Sequence, residues 1–420
     1  MAIVFLVVSV LLAVAVATTY VPIRRDPITG IAFVTGWLTA ELAGQLFVVN
    51  ALVVSLMAWL GGTHGPLGHL AVGIDAAAAV GLLGLVALGF LSRSVVAEAL
   101  GSTPGLPIAM APQWRQPVWG RWWRIALGVA MPGRNLEWIR NVDYTGDDIK
   151  AHRLDIVRPR VMTSGAPVLI WVHGGAWTVG DKREQGRPLM FELAARGWVC
   201  VTVNYRLSPK ATWPDHITDV MRSIAWVKEH IADYGGDPRF VALSGGSAGG
   251  HLAALAALAP DDPAFKVGFE VADTSVDVCV PIYGVLEMTA EKATSGKFGP
   301  GLRLLLERQV MKARIAEDRS LFEAASPMHR IHADAPPFFV IHGRNDTLVP
   351  VAVPRTFVPA LRAVSAQPVA YLELPFAQHA FDVLPSPRSA ATVSGIVAFL
   401  ETVRAQRASM PSAQEKEARG

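Results

Sequence analysis

Long runs of apolar side chains dominate the first hundred residues. Met1 to Val21 contains no charged side chain, and about 20 apolar residues span a bilayer core as a helix. A second apolar stretch covers Ile28 to Leu60, spanning from about Leu38, and a third covers Leu70 to Leu91. The turn from Gly61 to Pro66, which is rich in helix-breaking residues, separates the last two stretches. The pattern predicts three transmembrane helices, with two as the alternative.

The first apolar stretch also has to be weighed against a secretory signal peptide. It lacks the charged N-terminal region of such a signal, and further apolar stretches follow it. We therefore expect a retained helix and assign residues 1–92 to a transmembrane region.

Arginine placement predicts the orientation of these helices. Arg24 and Arg25 follow the first stretch, whereas the loop between the second and third stretches has no Lys or Arg. Further arginines follow the third stretch: Arg93, Arg115, Arg121 and Arg124. Because positive loops stay on the cytoplasmic side, three spans place the N-terminus outside and the rest of the chain in the cytoplasm.

Two carboxylates fall within the apolar region. Glu41 and Asp75 are both expected near the starts of their helices, which would put them at opposite faces of the membrane. A proton relay between them is therefore disfavoured, although intramembrane carboxylates often carry function. We interpret both as interfacial or helix-contact residues.

Residues 93–134 form a juxtamembrane segment rich in Trp and Arg. Its tryptophans and the nearby Trp138 are interleaved with arginines: Trp114, Trp119, Trp122, Trp123 and Trp138 with Arg115, Arg121, Arg124, Arg134 and Arg140. Such a mixture favours a lipid headgroup layer. A lid that folds over the active site of the next domain explains it equally well.

The pattern changes at residue 135, from where short β-rich runs alternate with helical ones as far as residue 404. This alternation predicts an α/β domain with a mainly parallel sheet and helices on both faces. The predicted strands cover Ile139–Tyr144, Arg153–Val157, Pro167–Val172, Trp198–Asn204, Phe240–Leu243, Val276–Tyr283, Pro337–Ile341 and Val369–Leu374. The first two form a hairpin, residues 284–335 are long enough to hold a cap, and the polar tail 405–420 is expected to be disordered.

The overall composition agrees with a chain that is partly in lipid. Hydrophobic residues make up 51% and charged residues 17%, against about 25% charged in soluble domains. The net charge of +3 does not argue for a nucleic-acid partner. Cys200 and Cys279 lie in apolar runs and are expected to be inert buried thiols.

The segment Gly245–Gly249 matches G-x-S-x-G and lies between a predicted strand and a helix. That context makes the motif a candidate nucleophile turn, because the tight strand-to-helix turn exposes the serine hydroxyl above the sheet. Ser247 is the candidate nucleophile. Ala248, directly after it, is a candidate N–H donor to an oxyanion.

A second glycine-rich segment, His173 to Trp177, follows another strand of the sheet. Glycines let backbone N–H groups point at an oxyanion without obstruction, and each such donor contributes about 3–4 kcal/mol to the transition state. We assign donors to Gly175 and Ala176 and a turn-shaping role to Gly174.

A serine nucleophile needs a base and an orienting acid, which follow in the order Ser, Asp or Glu, His in this fold class. His379 and Asp346 follow the last two strands, at the carboxyl ends where ligands bind in open α/β sheets. His342 precedes any candidate acid, and His251 is expected to pack within a helix. Asp382 is too near His379 in sequence to reach the required ring nitrogen.

These motifs resemble the hormone-sensitive-lipase-like and carboxylesterase branch of the α/β-hydrolases. The resemblance covers about residues 135–404 and rests on the His173–Trp177 segment, Asn204–Leu207, Gly235–Pro238, the turn around Ser247, and His342-Gly343 with Asp346. The layout with N-terminal spans is similar to membrane-anchored actinobacterial carboxylesterases. It implies a multi-pass protein of the bacterial cell membrane.

The resemblance implies hydrolysis of small-molecule carboxylic esters without a metal or organic cofactor, with Trp177 assigned to substrate binding. Ala176 stands where many relatives have a third glycine, and the Ala-Trp version is also similar to arylformamidases. An amidase on the same residues is therefore the alternative, and a non-catalytic binding module is a remote one. A site near the bilayer is expected to favour apolar acyl esters over sugar acetates.

Overall fold

Four apolar helices open the chain. The computed structural model describes residues 1–24, 28–108, 122–128, 130–161, 164–291 and 299–409. The helices are α1 (Ala2–Tyr20), α2 (Thr29–Glu41), α3 (Ala43–Trp59) and α4 (Gly65–Gly101). Helices α1 and α4 are each long and apolar enough to cross a membrane, whereas α2 and α3 meet at an angle of 87° and form a third such unit only together.

The break between α2 and α3 changes the interpretation of Glu41. This residue ends α2 instead of lying near the start of a helix, as the sequence had suggested. Its carboxylate forms an ion pair with Arg388 and accepts a hydrogen bond from Ser386 at 2.6 Å. A buried carboxylate is tolerated only when it is paired in this way. Glu41 therefore fastens the bend to the α/β domain.

Asp75 lies at a different contact, inside the helical bundle. It accepts hydrogen bonds from Asn50 on α3 at 2.9 Å and from Ser9 on α1 at 3.5 Å. All three side chains are buried. Polar contacts of this kind join helices within a membrane, so the helix-contact interpretation holds for Asp75.

Helix α4 belongs to both parts of the molecule. Its 37 residues extend about 55 Å, well beyond a hydrocarbon core of about 30 Å. The excess lies at its C-terminal end, where Val96 and Leu100 are buried in the same cluster as Ile396 and Val397 of the last helix. The end of the apolar region and the α/β domain thus share one core.

An eight-stranded sheet forms the centre of the remaining chain. Its order is β1-β2-β4-β3-β5-β6-β7-β8, with β1 and β2 antiparallel and the others parallel. The strands are β1 (Leu136–Asp143), β2 (Arg153–Pro159), β3 (Ala166–Val172), β4 (Val199–Val203), β5 (Gly236–Gly246), β6 (Val278–Ile282), β7 (Phe338–Gly343) and β8 (Val369–Leu374). Every strand expected from the sequence is present, and the predicted α/β class is confirmed.

Further helices follow α4, and several of them cover the two faces of the sheet. The further helices are α5 (Trp122–Leu127), α6 (Arg187–Ala195), α7 (Asp215–His230), α8 (Ala248–Leu258), α9 (Gly299–Leu305), α10 (Arg319–Ala324), α11 (Ala352–Val364) and α12 (Pro387–Ser409). The segment expected to hold a cap contains α9, α10 and a π-helical turn, Leu306–Val310. Helix α11 was not expected, and α12 continues into the predicted tail as far as Ser409. Cys200 and Cys279 are free and buried, as predicted.

Much of the Trp/Arg segment lies outside the described residues, including Trp114, Trp119, Arg115 and Arg121 and the side chains of Trp122, Trp123 and Arg124. Trp138 is described and lies on β1, where its Nε1 donates to Asp155 at 3.0 Å. The guanidinium groups of Arg140 and Arg187 lie over its ring. Trp138 therefore packs on the α/β domain.

Candidate active site

Ser247 occupies the turn between β5 and α8. Its φ of 57° is in the left-handed region, where a residue with a side chain is strained. The glycine before it relieves the crowding, because a Cβ on Gly246 would lie 2.8 Å from the Tyr283 hydroxyl. Ala248 begins α8, so its N–H has no acceptor within the helix. The structure thus presents the serine at a tight strand-to-helix turn.

The loop after β3 lies beside this serine. A Cβ on Gly174 would come within 3.1 Å of the Ser247 Cβ, and the Gly174 N–H donates to Gln185 Oε1 at 2.8 Å. Gly175 has a φ of 123°, and a Cβ there would lie 1.9 Å from the Val179 carbonyl oxygen. Only glycine fits that position. This geometry is consistent with the turn-shaping role predicted for Gly174, while the donor role predicted for Gly175 stays a prediction.

The N–H groups of Gly175 and Ala176 have no hydrogen-bond acceptor within the described parts of the chain. Ala176 also has a left-handed backbone, with a φ of 51°. Together with the N–H of Ala248, these groups are backbone donors for which the described residues provide no acceptor. An oxyanion site requires preorganised donors of this kind.

Trp177 lies beneath the loop. Its side chain is 1% exposed, and its Nε1 donates to His251 Nδ1 at 3.2 Å. His251 in turn donates from Nε2 to the Ala325 carbonyl at 2.7 Å, and burial lowers its pKa to about 4. Trp177 therefore packs within the protein and supports the loop, and its expected contact with substrate stays a prediction. His251 packs, as predicted.

Asp346 and His379 meet beyond the ends of β7 and β8. The Asp346 carboxylate accepts a hydrogen bond from His379 Nδ1 at 2.7 Å and from the N–H groups of Leu348 and Val349, each at 2.8 Å. Burial opposes its charge, but the neighbouring His379 and these hydrogen bonds lower the Asp346 pKa below its ordinary value. A carboxylate held in this way fixes both the ring orientation and the tautomer of its histidine.

The neighbouring His342 is not an alternative base. It is 1% exposed and donates from Nε2 to the Val349 carbonyl at 2.9 Å, and burial lowers its pKa. Gln378 connects the two loops of the pair, since its Oε1 accepts from the N–H groups of Thr347 and His379. The scaffold thus selects His379 from the histidines near Asp346.

Tyr283 connects this pair to the serine turn. Its ring centroid lies 4.5 Å from that of His379, and its hydroxyl lies beside Gly246. In the described residues no hydrogen bond joins Ser247 to His379. Such bonds are often long before a substrate binds. Strands β5, β6, β7 and β8 are parallel neighbours, so the turns that carry Ser247, Asp346 and His379 nevertheless lie at the same, carboxyl-terminal end of the strands.

Comparisons with known proteins identify relatives of this chain. A family model described as BD-FAE matches residues 154–361. The chain is 44% identical to "Probable carboxylic ester hydrolase LipM" of Mycobacterium tuberculosis, over 95% of this chain and 93% of that protein. It is 45% identical to "Esterase LipC" of the same organism, over 64% of this chain and 66% of that protein.

The chain belongs to the carboxylic ester hydrolases of the α/β-hydrolase fold. Among solved structures, the esterase superposes on esterase B of Lactobacillus rhamnosis with a TM-score of 0.57 at 22% identity, covering 67% of this chain and 90% of that one. This likeness supports the fold alone. The expected resemblance to carboxylesterases is confirmed, and it now includes the N-terminal helices because the match to LipM covers nearly the whole chain.

The charged residues of the shared motifs are structural in this esterase. Arg206 pairs with Asp219 at 2.7 Å and with Asp215 at 3.0 Å. Asp237 pairs with Arg239 at 2.9 Å. These ion pairs hold turns of the sheet, so we assign none of them to the chemistry.

Asp382 is a second buried carboxylate near His379, and its partner was not expected from the sequence. It accepts a hydrogen bond from the Tyr283 hydroxyl. Burial raises the Asp382 pKa to about 6, although that hydrogen bond opposes the shift. The esterase therefore holds two acids with opposite shifts, of which only Asp346 bonds to the histidine in the described residues.

These opposite shifts predict opposite effects of pH on two variants. Asp382 favours its neutral form in the folded esterase, so its contribution to stability is lost as the pH rises from about 4 to about 6. Asn carries no charge, and Asp382→Asn should gain thermal stability relative to the wild type over that range, by at most roughly 3 kcal/mol. Thermal unfolding midpoints measured from pH 4.5 to 7.5 test this expectation.

Asp346→Asn is the matched control. The Asp346 carboxylate of the wild type has a lowered pKa, so its contribution to stability is present at neutral pH and is lost as the pH falls below about 4. The deficit of Asp346→Asn should therefore persist through the range in which Asp382→Asn gains. Parallel curves for Asp382→Asn and the wild type would contradict the raised pKa of Asp382.

Helix α2 forms one wall beside the histidine. The ring of Phe33 lies edge-on to that of His379, at 6.0 Å between centroids, and stacks on Trp37 at 5.8 Å. A Cβ on Gly36 would lie 3.5 Å from Gln378. Asn345 also donates to the carbonyl of Thr19 on α1 at 2.9 Å. The apolar helices of the esterase thus adjoin the Asp346–His379 pair.

Proposed function

We propose that this esterase cleaves carboxylic esters through a triad of Ser247, His379 and Asp346 and a covalent acyl-enzyme. The observation that carries the proposal is the position of Ser247, whose backbone is left-handed, at the β5–α8 turn. This turn lies at the same carboxyl-terminal end of the strands as the hydrogen-bonded His379–Asp346 pair. Replacing Ser247 with Ala and measuring ester turnover tests it.

In the proposed first step, His379 Nε2 accepts the Ser247 proton as the hydroxyl attacks the ester carbonyl carbon. The carbonyl oxygen gains negative charge, which the N–H groups of Gly175, Ala176 and Ala248 stabilise. Collapse breaks the bond to the alcohol, which leaves with the proton from His379. Water then repeats the sequence on the acyl-enzyme and releases the carboxylic acid. Asp346 keeps Nδ1 protonated throughout.

We also propose that the substrates are esters with apolar acyl chains taken from the bilayer. Two observations support this. The wall beside His379 consists of the apolar helix α2, through Phe33 and Trp37. Helices α1 and α4, which are long enough to cross a membrane, continue directly into contacts with the α/β domain. An acyl chain could therefore reach the site along α2 without crossing water.

The proposed substrate class predicts a chain-length effect at Phe33. Phe33→Ala removes an aromatic wall worth roughly 1.5–3 kcal/mol of apolar contact. kcat/KM should therefore fall about tenfold or more for a p-nitrophenyl ester of a twelve-carbon acid, and much less for the acetate. Val34→Ala on the same helix is the control, because Val34 is 44% exposed. Equal losses on both esters would argue against an acyl site at α2.

The α/β domain is proposed to face the cytoplasm of a bacterial cell. Arg24 lies on the side of the helical bundle that contacts the α/β domain, where it donates to the Arg344 carbonyl at 3.2 Å. Arg93 follows the third apolar stretch and lies near Arg388 at the start of α12. Both arginines are therefore on the side that carries the domain, and the positive-inside rule assigns that side to the cytoplasm.

Protease added to sealed, right-side-out cells should leave the α/β domain intact and should cut it only after the membrane is opened. Fractionation provides the control, since the protein should resist high salt and carbonate and dissolve in detergent. Cleavage of the domain in sealed cells would reverse the proposed orientation.

A further inference from the structure

A groove separate from the candidate active site lies between α3, α4, α5 and the start of α12. It has a volume of about 640 Å³, within the range of roughly 300–1,000 Å³ found for small-molecule sites. Its lining includes none of Ser247, Asp346 and His379. It is therefore a second cavity, and its occupant has to be argued from its own walls.

Most of the groove is apolar and open to the outside of the bundle. Val48, Val49 and Phe90 line it with exposed fractions of 59%, 54% and 53%. Leu85 and Val86 complete the wall. These residues belong to the helices that make up the transmembrane region, so the groove faces the acyl layer of a bilayer. An acyl chain matches this surface, whereas a polar ligand does not.

One end of the groove carries an excess of positive charge. Arg388, Arg93 and Glu41 belong to the lining, so the groove has two guanidinium groups and one carboxylate in its wall. The Arg388 side chain is 1% exposed. Its Nη1 donates to Glu41, but its Nε and Nη2 are buried and have no acceptor within the described parts of the chain.

Unsatisfied donors on a buried guanidinium carry a substantial free-energy cost. Arg93, by contrast, is exposed, and it has no ion pair with any residue that the structure describes. An anion at this end would give Arg93 a partner and would lie beside the unsatisfied donors of Arg388. Glu41 alone cannot neutralise both arginines.

We propose that this groove binds a single-chain anionic amphiphile, a long-chain fatty acid, with its carboxylate at Arg93 and Arg388 and its chain along Val48 and Phe90. The volume suits one acyl chain rather than the two of a phospholipid. A fatty acid is also the class of product that hydrolysis of an apolar acyl ester releases, although the site itself does not depend on how the ester is cleaved.

The test uses the full chain in nanodiscs of neutral phosphatidylcholine and a photoreactive analogue of oleate. Cross-links are expected on the α3 and α4 segments around Val48 and Phe90, located by mass spectrometry. Unlabelled oleate should displace the analogue, while oleyl alcohol, which has the chain but no charge, should be about tenfold weaker or worse. Equal displacement by the alcohol would overturn the charged end of the proposal.

Matched variants separate this groove from general lipid contact. Val48→Trp fills the groove and should lower the labelling about tenfold, whereas Val80→Trp should not, because Val80 on α4 is 70% exposed and lies outside the lining. Arg93→Gln should weaken labelling about tenfold and Arg93→Lys should restore it. Equal labelling of Val48→Trp and Val80→Trp would show that the probe reports only lipid contact.

Phosphatidylglycerol distinguishes the two sources of an anionic headgroup. If phosphatidylglycerol displaces the analogue with the same potency as oleate, the occupant is a bilayer lipid and the assignment to a fatty acid is wrong. Hydrolysis of a short ester should be retained in Val48→Trp and Arg93→Gln, which also shows that these variants fold. Labelling should persist in Ser247→Ala. The test of the fatty-acid groove is therefore independent of the test of the proposed triad.

Discussion

Ser247→Ala is expected to lower kcat for ester hydrolysis by about four to six orders of magnitude. The variant has no hydroxyl to form the acyl-enzyme, and only the oxyanion donors and substrate binding remain to assist attack by water. The backbone N–H groups of Gly175, Ala176 and Ala248 are unchanged by the substitution. A small residual rate above the uncatalysed reaction is therefore expected, together with an unaltered thermal midpoint.

The measurement is turnover of a p-nitrophenyl ester, accompanied by labelling with a fluorophosphonate. Wild-type protein should carry the label on Ser247, and the variant should carry none. Ser244→Ala is the matched control, because Ser244 lies on β5 three residues before Ser247 and its hydroxyl donates to the Val280 carbonyl at 2.7 Å. That variant should lose only the stability that this hydrogen bond provides, and it should keep its label. Undiminished turnover in Ser247→Ala would refute the nucleophile.

Asp346→Asn is expected to lower kcat by about four orders of magnitude. The amide can present its N–H to His379 Nδ1, which would leave the proton on Nε2, the nitrogen that has to accept the Ser247 proton. Asp382→Asn should cost far less, because Asp382 bonds to Tyr283 and not to the histidine.

Comparing these two variants decides which acid orients the base. The substrate affinity should change little in Asp346→Asn, so the loss should appear in kcat rather than in KM. If Asp382→Asn is the more damaging change, the hydrogen bond between Asp346 and His379 does not serve catalysis. The same two variants in the pH series on thermal stability provide an independent control on their folding.

Much of the α/β domain follows from local patterns in the sequence. The inner strands β3, β4 and β6 are short, buried and mainly apolar runs that local composition indicates, whereas β1 and β2 mix apolar and polar side chains. Helix α11 was not predicted because Pro354 and Pro359 lie within it, and proline argues against a helix interior. Its buried residues, Val353, Phe357, Val358 and Leu361, nevertheless recur at helical spacing, a signal that outweighs the prolines.

The sequence by itself determined the candidate site, since the motifs around Ser247, Gly175, Asp346 and His379 depend on local turns at strand ends. It also determined that the first hundred residues form apolar helices, two of which are long enough to cross a membrane. Both properties are local, because a tight turn needs glycine and a span needs consecutive apolar side chains.

Only the tertiary structure decided what surrounds those residues. The contact of Phe33 with His379, the pairing of Glu41 with Arg388, and the buried position of Trp177 join segments that are far apart along the chain. No local period encodes such contacts. They result from how the bent α2–α3 pair and the long α4 pack on the sheet, where burial of apolar surface and pairing of buried charges set the arrangement.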